Sequence, residues 1–589
     1  MSEDTSKYQI IDMINRFGAE HVLSLVQKSR DQALSLKALA GTLSVAGSCP
    51  QPRPICPPAQ GCGLRIGLIA DEFSIHCWWP EAWVILLDRH HWMKQIELEK
   101  PHFVLLESAW EGNFGDWKDC FIKERNRQGF EDLSALIQAC GTRHIPVVFW
   151  NKEDPVFRSE FLSIAILADF VLTSDAESIP FYRNTLGHDR IAPLLFAAQP
   201  RLHNPAREPG TRKEGVAFAG SYYQYAHELR KSQIERMIKL IDFAEGDIFD
   251  RHFGSIDPAY QFPKSAQKFV RGRLNYLNLS KAYKNYKAFL NVNTVTHSST
   301  MMARRVFEIL ASGTTVLSTP SKALDNLFLD EVIQLKNYQK DELSMTEALN
   351  DDFERLKRDH RGIRNILSGH TYFDRLTEII QHLNDSMKAK IPLPSPSFPR
   401  PKISTLILGL PSPSLPPSLP NTFANQHADV LDCGCRRKLD LAWLKERMDK
   451  GVTHVLVTSS TVQIGPNLLD DLALSLRYQN ADVVGFNSFF IEDQHTGTVR
   501  LYNPEDAHTW TSSFLSPILF IKIGILLDII KYNENKDIYE MSDLLRICNE
   551  IYVNKYSFSP FNINLLDNYF IDNYSISNYK TISNKNFFI

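Results

Sequence analysis

The chain has 589 residues, of which 43% are hydrophobic and 23% are charged. This is the composition of a globular protein and excludes a mostly disordered chain. At roughly 100–200 residues per domain, the length predicts three or four domains. The 65 lysines and arginines nearly balance the 68 aspartates and glutamates, and the formal net charge of −3 excludes a general attraction to nucleic acid. Nine cysteines are few for a secreted disulfide scaffold, and the N-terminus lacks a signal-peptide pattern, so we expect a cytoplasmic protein.

The N-terminal part of the chain predicts a helical segment followed by a linker. Apolar residues recur at helical spacing between Ile10 and Val26, which predicts helices within residues 1–46. Many prolines between Ser48 and Cys62 remove backbone hydrogen-bond donors, which predicts a linker over residues 47–63. The three cysteines of this linker lack Cys-x-x-Cys spacing, so unpaired thiols are favoured over a zinc site.

From Leu64 onward, short apolar runs alternate with amphipathic helical stretches, a pattern typical of βαβ units and a parallel sheet. We therefore expect a first Rossmann-like domain over residues 64–205 and a second over residues 213–390, joined by a hinge at residues 203–213. The strands predicted in the first domain are Leu64–Ala70, Phe103–Leu106, Pro146–Trp150, Phe170–Thr173 and Leu194–Ala197. Those predicted in the second domain are Gly215–Ala219, Ala288–Val292, Thr314–Leu317 and Glu331–Leu335.

A further proline-rich break predicts a second linker over residues 391–401, followed by a smaller α/β domain over residues 402–550. Its predicted strands are Ile403–Leu408, Val430–Leu431, His454–Val457 and Asp482–Phe486. The longest apolar stretch, Ile518 to Ile530, is shorter than the about 20 residues needed to span a bilayer, so it predicts a buried element. The tail over residues 551–589 is rich in Asn, Ile and Tyr and has little periodicity, so we assign it no structure.

Polar residues follow the predicted strands at the point where each strand ends. They are Asp71, Glu72 and Asp154 in the first domain, with His76 behind them, and Gly220, Ser221, Tyr222 and Asn293 in the second. Ligands of open parallel sheets bind outside the carboxyl ends of the strands. The sequence therefore predicts a cleft with an acidic wall opposite a Gly/Ser/Asn-rich wall. A single polar residue at a strand end more often caps a helix or solvates a loop. Because many polar residues follow these strands together, we favour a binding site.

A helix is predicted after the strand that ends at Val292. Ser298, Ser299 and Thr300 are candidates for its N-cap, and Gly313 suits its C-terminal end. A helix start carries free N–H groups and partial positive charge, so it favours phosphate, and Arg304 and Arg305 add fixed positive charge. Glu308 lies one turn after Arg304 and either forms an exposed ion pair with it or accepts hydrogen bonds from a sugar hydroxyl.

The run Arg305-Val-Phe-Glu-Ile-Leu-Ala-Ser-Gly313 resembles the signature of the glycosyltransferases related to the spore-maturation protein CgeB, which have the GT-B fold. Upstream segments continue the resemblance over about residues 64–385. They are Ile69–Phe73, Glu107–Gly112, Asn151–Pro155, Phe196–Pro200 and Phe218–Tyr223. The resemblance implies a nucleotide-sugar donor held mainly by the second domain and a glycan or lipid-linked acceptor facing the first. By the match, Gly220, Arg305 and Glu308 fall at donor-site positions.

Two departures from known patterns bear on mechanism. The two glutamates eight residues apart that retaining GT-B enzymes carry are not found, since residue 316 is Val316, so the stereochemistry stays open. The domain at 402–550 resembles a GT-A (family 2-like) nucleotide-sugar domain. Its Asp-x-Asp metal motif is replaced by Thr458, Ser459, Ser460 and Thr461, which predicts a degenerate domain without a metal.

The resemblance implies a metal-independent hexosyltransferase-like enzyme of cell-surface polysaccharide or glycoconjugate synthesis, with no cofactor beyond its donor. Asp71, Glu72 and Asp154 are the candidates for the acceptor base, and Gly220, Ser221, Tyr222, Asn293, Arg304, Arg305 and Glu308 those for donor binding. We expect Arg305→Ala and Glu308→Ala each to abolish transfer at little cost in stability. Two alternatives remain open: a sugar-nucleotide epimerase or hydrolase on the same scaffold, and a non-catalytic coat component that binds glycans. Peripheral membrane association is compatible with all three.

Overall fold

The computed structural model describes residues 63–208, 210, 212–225, 228–394, 401–408, 428–436, 438–459, 462–465, 467–492, 499–502, 507–511, 518–533, 536–550, 555–557, 563–565 and 579–582. The helical segment predicted over residues 1–46, the cysteines of the first linker and most of the second linker lie outside these residues, as does most of the tail.

The first unit is a sheet of six parallel strands in the order β2-β1-β3-β4-β5-β6. Its inner strands are buried on both faces, which explains their unbroken apolar sequences. The strands are β1 (Arg65–Ile69), β2 (Trp83–Leu86), β3 (Phe103–Glu107), β4 (Val147–Asn151), β5 (Phe170–Thr173) and β6 (Ile191–Pro193). The α-helices are α1 (Glu72–Trp78), α2 (Trp92–Glu99), α3 (Arg127–Thr142), α4 (Arg158–Leu167) and α5 (Ile179–Leu186).

The second unit is a sheet of five parallel strands in the order β11-β10-β9-β7-β8. The strands are β7 (Lys213–Gly220), β8 (Asp247–Asp250), β9 (Tyr286–Asn291), β10 (Thr315–Ser318) and β11 (Val332–Gln334). The α-helices are α6 (Glu228–Phe243), α7 (Tyr276–Asn285), α8 (Arg305–Ala311), α9 (Lys322–Leu327), α10 (Asp341–Asn350), α11 (Asp352–Gly369) and α12 (Tyr372–Met387).

Both sheets share one topology, in which the first strand lies between the second and the third. The strand order therefore reverses between β1 and β3 in one unit and between β7 and β9 in the other. In open α/β sheets this switch point is where ligands bind, outside the carboxyl ends of the strands. The predicted α/β class, with two Rossmann-like units, is confirmed.

The last helix of the second unit returns to the first unit and joins the two. Thr371 pairs with Ala198 and caps α12 through a capping box with Asp374. Arg375 Nε donates to the backbone oxygen of Leu195 at 3.0 Å, and the ring of Tyr372 packs edge-on against Trp78 at 4.7 Å between centroids. These contacts hold the two sheets in one body.

In the two parallel sheets, two strands and one strand position differ from the prediction. The strand β2 (Trp83–Leu86) was missed although Glu81 and Asp88 bound its short apolar run. The strand β8 was missed because it has four residues and an aspartate at each end. The strand predicted over 194–197 lies instead at Ile191–Pro193, where a proline is tolerated because β6 is the edge strand of its sheet.

The hinge predicted at residues 203–213 is not an exposed linker along its first half. His203 to Arg207 are buried, and Arg207 donates its backbone N–H to the oxygen of His508 at 3.0 Å. This segment therefore packs against the C-terminal part of the chain.

The C-terminal part contains a mixed sheet of seven strands in the order β13-β12-β14-β20-β16-β21-β19 and a five-stranded sheet in the order β15-β22-β17-β18-β23. The strands are β12 (Lys402–Leu408), β13 (Asp429–Arg436), β14 (His454–Ser459), β15 (Val462–Ile464), β16 (Val483–Gly485), β17 (Phe489–Glu492), β18 (Val499–Tyr502), β19 (Thr509–Thr511), β20 (Ile518–Lys522), β21 (Lys555–Ser557), β22 (Ile563–Leu565) and β23 (Tyr579–Ile582). The α-helices are α13 (Leu441–Asp449), α14 (Leu468–Ser475), α15 (Ile523–Tyr532) and α16 (Met541–Glu550).

The apolar stretch Ile518–Ile530 is the buried β20 followed by the start of α15. Among the described residues, no helix combines the length and the apolar character that crossing a bilayer requires. A buried ion cluster ties α14 to α11 of the second unit. In it, the carboxylate of Asp471 lies 3.0 Å from His360 Nε2 and 2.6 Å from Arg364 Nη2. The likeness of this part to GT-A domains stays a prediction.

Candidate active site

The carboxyl ends of β1, β3 and β4 hold a buried cluster of charges. Lys152 follows β4 and is 3% exposed. Its Nζ lies 3.0 Å from Asp71 Oδ2, at the end of β1, and 3.4 Å from Glu107 Oε2, at the end of β3. A buried ammonium is tolerated because these two carboxylates compensate its charge. The cluster fixes the geometry of the first wall at its topological switch point.

Asp71 is an anchoring group in this wall. Its Oδ1 accepts hydrogen bonds from the backbone N–H groups of Glu111 and Gly112, each at 3.1 Å, in addition to the contact with Lys152. Burial raises the pKa of Asp71, but the charge of Lys152 and the two N–H groups outweigh burial and bring the pKa below its ordinary value. A carboxylate so occupied is a weak proton acceptor.

The other two predicted carboxylates differ from each other in position. Asp154 is fully buried and accepts from Thr173 Oγ1 at 2.6 Å and from Tyr182 Oη at 3.1 Å, so it faces the interior of its unit. Burial raises its pKa to about 7. Glu72 lies in the first turn of α1 with its side chain 34% exposed, and its Oε1 is 3.7 Å from Nε2 of the buried His76. Of the three, Glu72 is the carboxylate that solvent reaches best.

Glu153, which was not selected from the sequence, directly precedes Asp154 in the chain. It follows Lys152, is half-buried and bonds to Trp110. Burial raises the pKa of Glu153; Lys152 lowers it and Asp71 raises it again, so that the pKa lies above its ordinary value. The charge of Arg251, in the second unit, lowers this pKa.

The second wall carries three arginines beside the end of β7, which we call the arginine cluster: Arg230, Arg251 and Arg305. Arg305 Nη1 donates to the backbone oxygen of Ala219, and the backbone N–H of Arg251 donates to the oxygen of Gly220 at 3.1 Å. Burial, together with the charges of Arg305 and Arg251, lowers the pKa of Arg230 to about 10.

In the part of the chain that the structure describes, none of the three guanidinium groups pairs with a carboxylate. Like charges gathered without a counter-ion favour an anion. The sequence predicted Gly220 and Arg305, but it did not predict Arg230 or Arg251.

The side chains of Tyr222 and Asn293, which were predicted to bind the donor, bond to other residues of the second unit. Tyr222 is buried and donates its hydroxyl to Glu235 on α6 at 3.1 Å, and Ser221 beside it is also buried. Asn293 is 1% exposed, and its amide bonds to Ser318 Oγ at 3.0 Å and to the oxygen of Thr319 at 2.8 Å. The hydroxyl of Tyr222 is therefore bound to α6 and the amide of Asn293 to the end of β10.

Arg304 and Glu308 form a buried contact between the two units. Arg304 Nε lies 2.8 Å from Glu308 Oε1, and its guanidinium sits 3.6 Å from the ring centre of Phe73 of the first unit. Glu308 is 1% exposed and also accepts from Tyr276 Oη at 2.8 Å.

The prediction of an exposed Arg304–Glu308 pair is therefore wrong. The expectation that Glu308→Ala leaves stability unchanged does not fit either, since removal of one partner leaves a buried charge uncompensated.

The helix predicted from about residue 300 begins at Arg305, so Ser298, Ser299 and Thr300 are not its N-cap residues. They form instead a clasp between the units with Glu177. Glu177 accepts from the backbone N–H of Ser299 at 3.0 Å and from Ser298 Oγ at 3.1 Å. Thr300 Oγ1 donates to the oxygen of Ser174 at 2.9 Å. Burial raises the pKa of Glu177, but the bonds from Ser299 and Ser298 outweigh it and lower the pKa to about 2, so this carboxylate is ionised at neutral pH.

We expect Glu177→Ala to loosen the clasp, because Ser298 and Ser299 lose the carboxylate to which they bond. The protein should stay folded, because the side chain of Glu177 is 40% exposed. Amide hydrogen exchange of a peptide that contains Ser299 should become about tenfold faster, since the N–H groups of this segment then open to solvent more often. Glu160→Ala, which changes a partly exposed glutamate on α4, is the matched control and should change nothing. Unchanged exchange in both variants would show that the clasp does not hold the units together.

Comparison with known proteins locates the similarity in the second unit. A family model described as glycosyl transferase-like matches residues 235–381, which is about a quarter of the chain and includes Arg251, Arg305 and Glu308. None of the curated proteins compared matches the chain.

Solved structures resemble the chain over about half its length. They include a sucrose-phosphate synthase of Thermosynechococcus elongatus (10% identity, 51% of this chain and 78% of that one, TM-score 0.34). HepE of Anabaena, solved with UDP and glucose, has 10% identity over 54% of this chain and 99% of that one (TM-score 0.33). An enzyme of Listeria monocytogenes described as a UDP-N-acetylglucosamine 2-epimerase has 8% identity over 56% and 97% (TM-score 0.34). All three TM-scores are below 0.5, so the geometry of the site and the family match are the indications of function.

Proposed function

We propose that the protein is a glycosyltransferase that moves a sugar from a nucleoside-diphosphate sugar to an acceptor. The observation that carries the proposal is the arginine cluster at the carboxyl end of β7, opposite a wall of carboxylates and within or beside the matched region. We further propose that the sugar is a hexose, that the acceptor is a glycan or a lipid-linked glycan of the cell surface, and that the reaction takes place in the cytoplasm.

The arginine cluster suits the leaving group of this reaction. When the bond between the anomeric carbon and the diphosphate breaks, its electron pair goes to a phosphate oxygen, and negative charge grows there. Guanidinium groups already in place stabilise that charge in the transition state more than in the bound donor. The guanidinium of Arg305 is held by the backbone oxygen of Ala219, so it needs little rearrangement, and the backbone of Arg251 is held at Gly220. Because three cations are present, we propose that transfer needs no metal ion.

For the acceptor base, we propose Glu153 in place of Asp71 and Asp154. The lone pairs of Asp71 are occupied by Lys152 and two N–H groups, and Asp154 faces the interior. Glu153 is half-buried and has a raised pKa, which makes its carboxylate a better proton acceptor near neutral pH. Glu72, which is more exposed, is the second candidate.

The experiment supplies the purified full-length chain with nucleoside-diphosphate hexoses, first alone and then with glycan and lipid-linked acceptors, in the presence of EDTA. Thermal shift identifies the donor, since a ligand that binds the folded state raises the midpoint of unfolding. We expect release of the nucleoside diphosphate to be slow without an acceptor and at least tenfold faster with one.

Three outcomes would contradict the proposal. Equal release with and without an acceptor indicates a hydrolase, and a changed sugar without an acceptor indicates an epimerase. Donor binding without product for any acceptor favours a glycan-binding protein that does not catalyse transfer.

A further inference from the structure

The loop that follows β8 carries two large apolar side chains that face solvent. We call residues 252–257 the apolar loop. Ile256 is 95% exposed and Phe253 is 57% exposed. An apolar residue exposed alone is common, but two at the tip of one short loop form a surface that gains free energy when it is covered.

The apolar loop is held in one shape by its own hydrogen bonds. Asp250 Oδ1 accepts from the N–H of His252 at 2.9 Å, and the oxygen of His252 accepts from the N–H of Ser255 at 2.8 Å. The oxygen of Ser255 accepts from Gln261 Nε2 at 3.2 Å, and the rings of His252 and Tyr260 stack at 4.4 Å. Because the loop is ordered before it binds anything, covering Phe253 and Ile256 costs little conformational entropy.

Positive charge lies beside the apolar loop. Residues 251–273 contain five basic residues and one acidic residue, in a chain whose overall charge is −3. The basic segment is adjacent in space, since the N–H of Asp250 donates to the oxygen of Gly272 at 2.9 Å and Phe253 packs over Gly272.

Two of these five basic residues are neutralised, Lys268 by Asp242 at 2.8 Å and Arg271 by Asp247 at 2.6 Å. Lys264 and Arg273 are exposed and, among the described residues, form no ion pair.

We propose that the apolar loop and its basic flank dock the protein on an anionic membrane surface. Apolar side chains that enter the boundary between headgroups and acyl chains, combined with cations that attract anionic headgroups, are the two contributions to interfacial binding. A protein partner would have to offer an apolar groove bordered by acidic groups, whereas an anionic bilayer supplies both properties everywhere. This docking goes beyond glycosyl transfer itself and does not depend on which sugar is moved.

The apolar loop adjoins the arginine cluster in the chain. Arg251 of the arginine cluster directly precedes the loop, so a docked protein has this end of its crevice next to the bilayer. A lipid-linked acceptor would then reach the site without leaving the membrane.

The test is vesicle flotation of the full-length chain with phosphatidylcholine vesicles and with vesicles of 70% phosphatidylcholine and 30% phosphatidylglycerol. We expect at least tenfold stronger binding to the vesicles with phosphatidylglycerol, and a loss of most of this difference in 0.5 M NaCl. The double variant Phe253→Ser/Ile256→Ser should bind at least tenfold more weakly, and Lys264→Ser/Arg273→Ser should lose the preference for phosphatidylglycerol.

Leu329→Ser is the matched control, because Leu329 is 96% exposed on another surface, and it should bind as the wild type does. The unfolding midpoint of each variant checks that it folds. Failure of the wild-type chain to float with anionic vesicles overturns the proposal, and so does undiminished binding of the double variant. A change in sedimentation of the double variant without a change in flotation would assign the loop to self-association instead. Flotation needs no donor or acceptor, so its result is independent of the proposed activity.

Discussion

Arg305→Met is expected to lower kcat/KM for glycosyl transfer at least about 100-fold, which is the typical cost of removing one preorganised donor to a developing negative charge. Arg305 is a group that the fold fixes at the end of β7 through its bond to the oxygen of Ala219. Methionine keeps the length of the side chain but removes the charge and the N–H groups. Steady-state kinetics with the donor found by thermal shift, at saturating acceptor, provides the measurement.

Two further variants make this result decisive. Arg305 is half-buried and donates one hydrogen bond to Ala219. Its replacement should therefore also lower the free energy of unfolding by about 1 kcal/mol. Arg251→Met removes a second charge of the same cluster from an exposed position, so we expect it to reduce transfer with an unchanged unfolding midpoint. Arg183→Met, an exposed arginine of the first unit that pairs with Asp189, should leave transfer unchanged. Wild-type kinetics in both cluster variants would remove the anion site from the mechanism.

The sequence identified the two Rossmann-like units because buried parallel strands leave unbroken apolar runs such as Val-Val-Phe-Trp at residues 147–150. It also located the carboxyl end of β7 correctly, since the end of a strand is readable from the point where polar residues begin. Gly220 and Arg305 lie at that edge. The prediction therefore agrees with the structure where it concerns only the position of the backbone.

It failed where the direction of a side chain decides. In the run Asn151-Lys-Glu-Asp154, the sequence gives four polar residues after a strand. Only the structure shows that Asp154 is turned toward Thr173 and Tyr182, whereas Glu153 is half-buried. Asn293 was chosen because it follows a predicted strand, but its side-chain amide bonds to Ser318 and Thr319.

The two missed arginines have different causes. Arg230 stands in the charged first turn of α6, where an arginine is typical of a solvated helix face. Arg251 follows β8, a strand of four residues that had not been predicted, so its position at the carboxyl edge of the second sheet could not be inferred. Both belong to the cluster only because the strand order places β8 and α6 beside β7, and strand order is a tertiary property.

Glu153→Gln is expected to lower kcat by about 100- to 10,000-fold, the usual range for the loss of a general base. The affinity for the donor should change little, because Glu153 belongs to the first wall and the arginine cluster to the second. Glutamine keeps the shape of the side chain and its contact with Trp110 but cannot take a proton. Glu160→Gln is the matched control on the same unit, and it should have wild-type kinetics.

The dependence of kcat/KM on pH distinguishes a base from a residue that only holds the structure. A general base acts in its deprotonated form, so activity rises as pH increases through its pKa. Burial raises the pKa of Glu153, so the acid limb of the wild-type profile should lie above the ordinary glutamate value of about 4.3. In Glu153→Gln the residual activity should be independent of pH over this limb. If the limb persists in Glu153→Gln and disappears in Glu72→Gln, the base is Glu72, and the acceptor approaches the first wall from the side of α1.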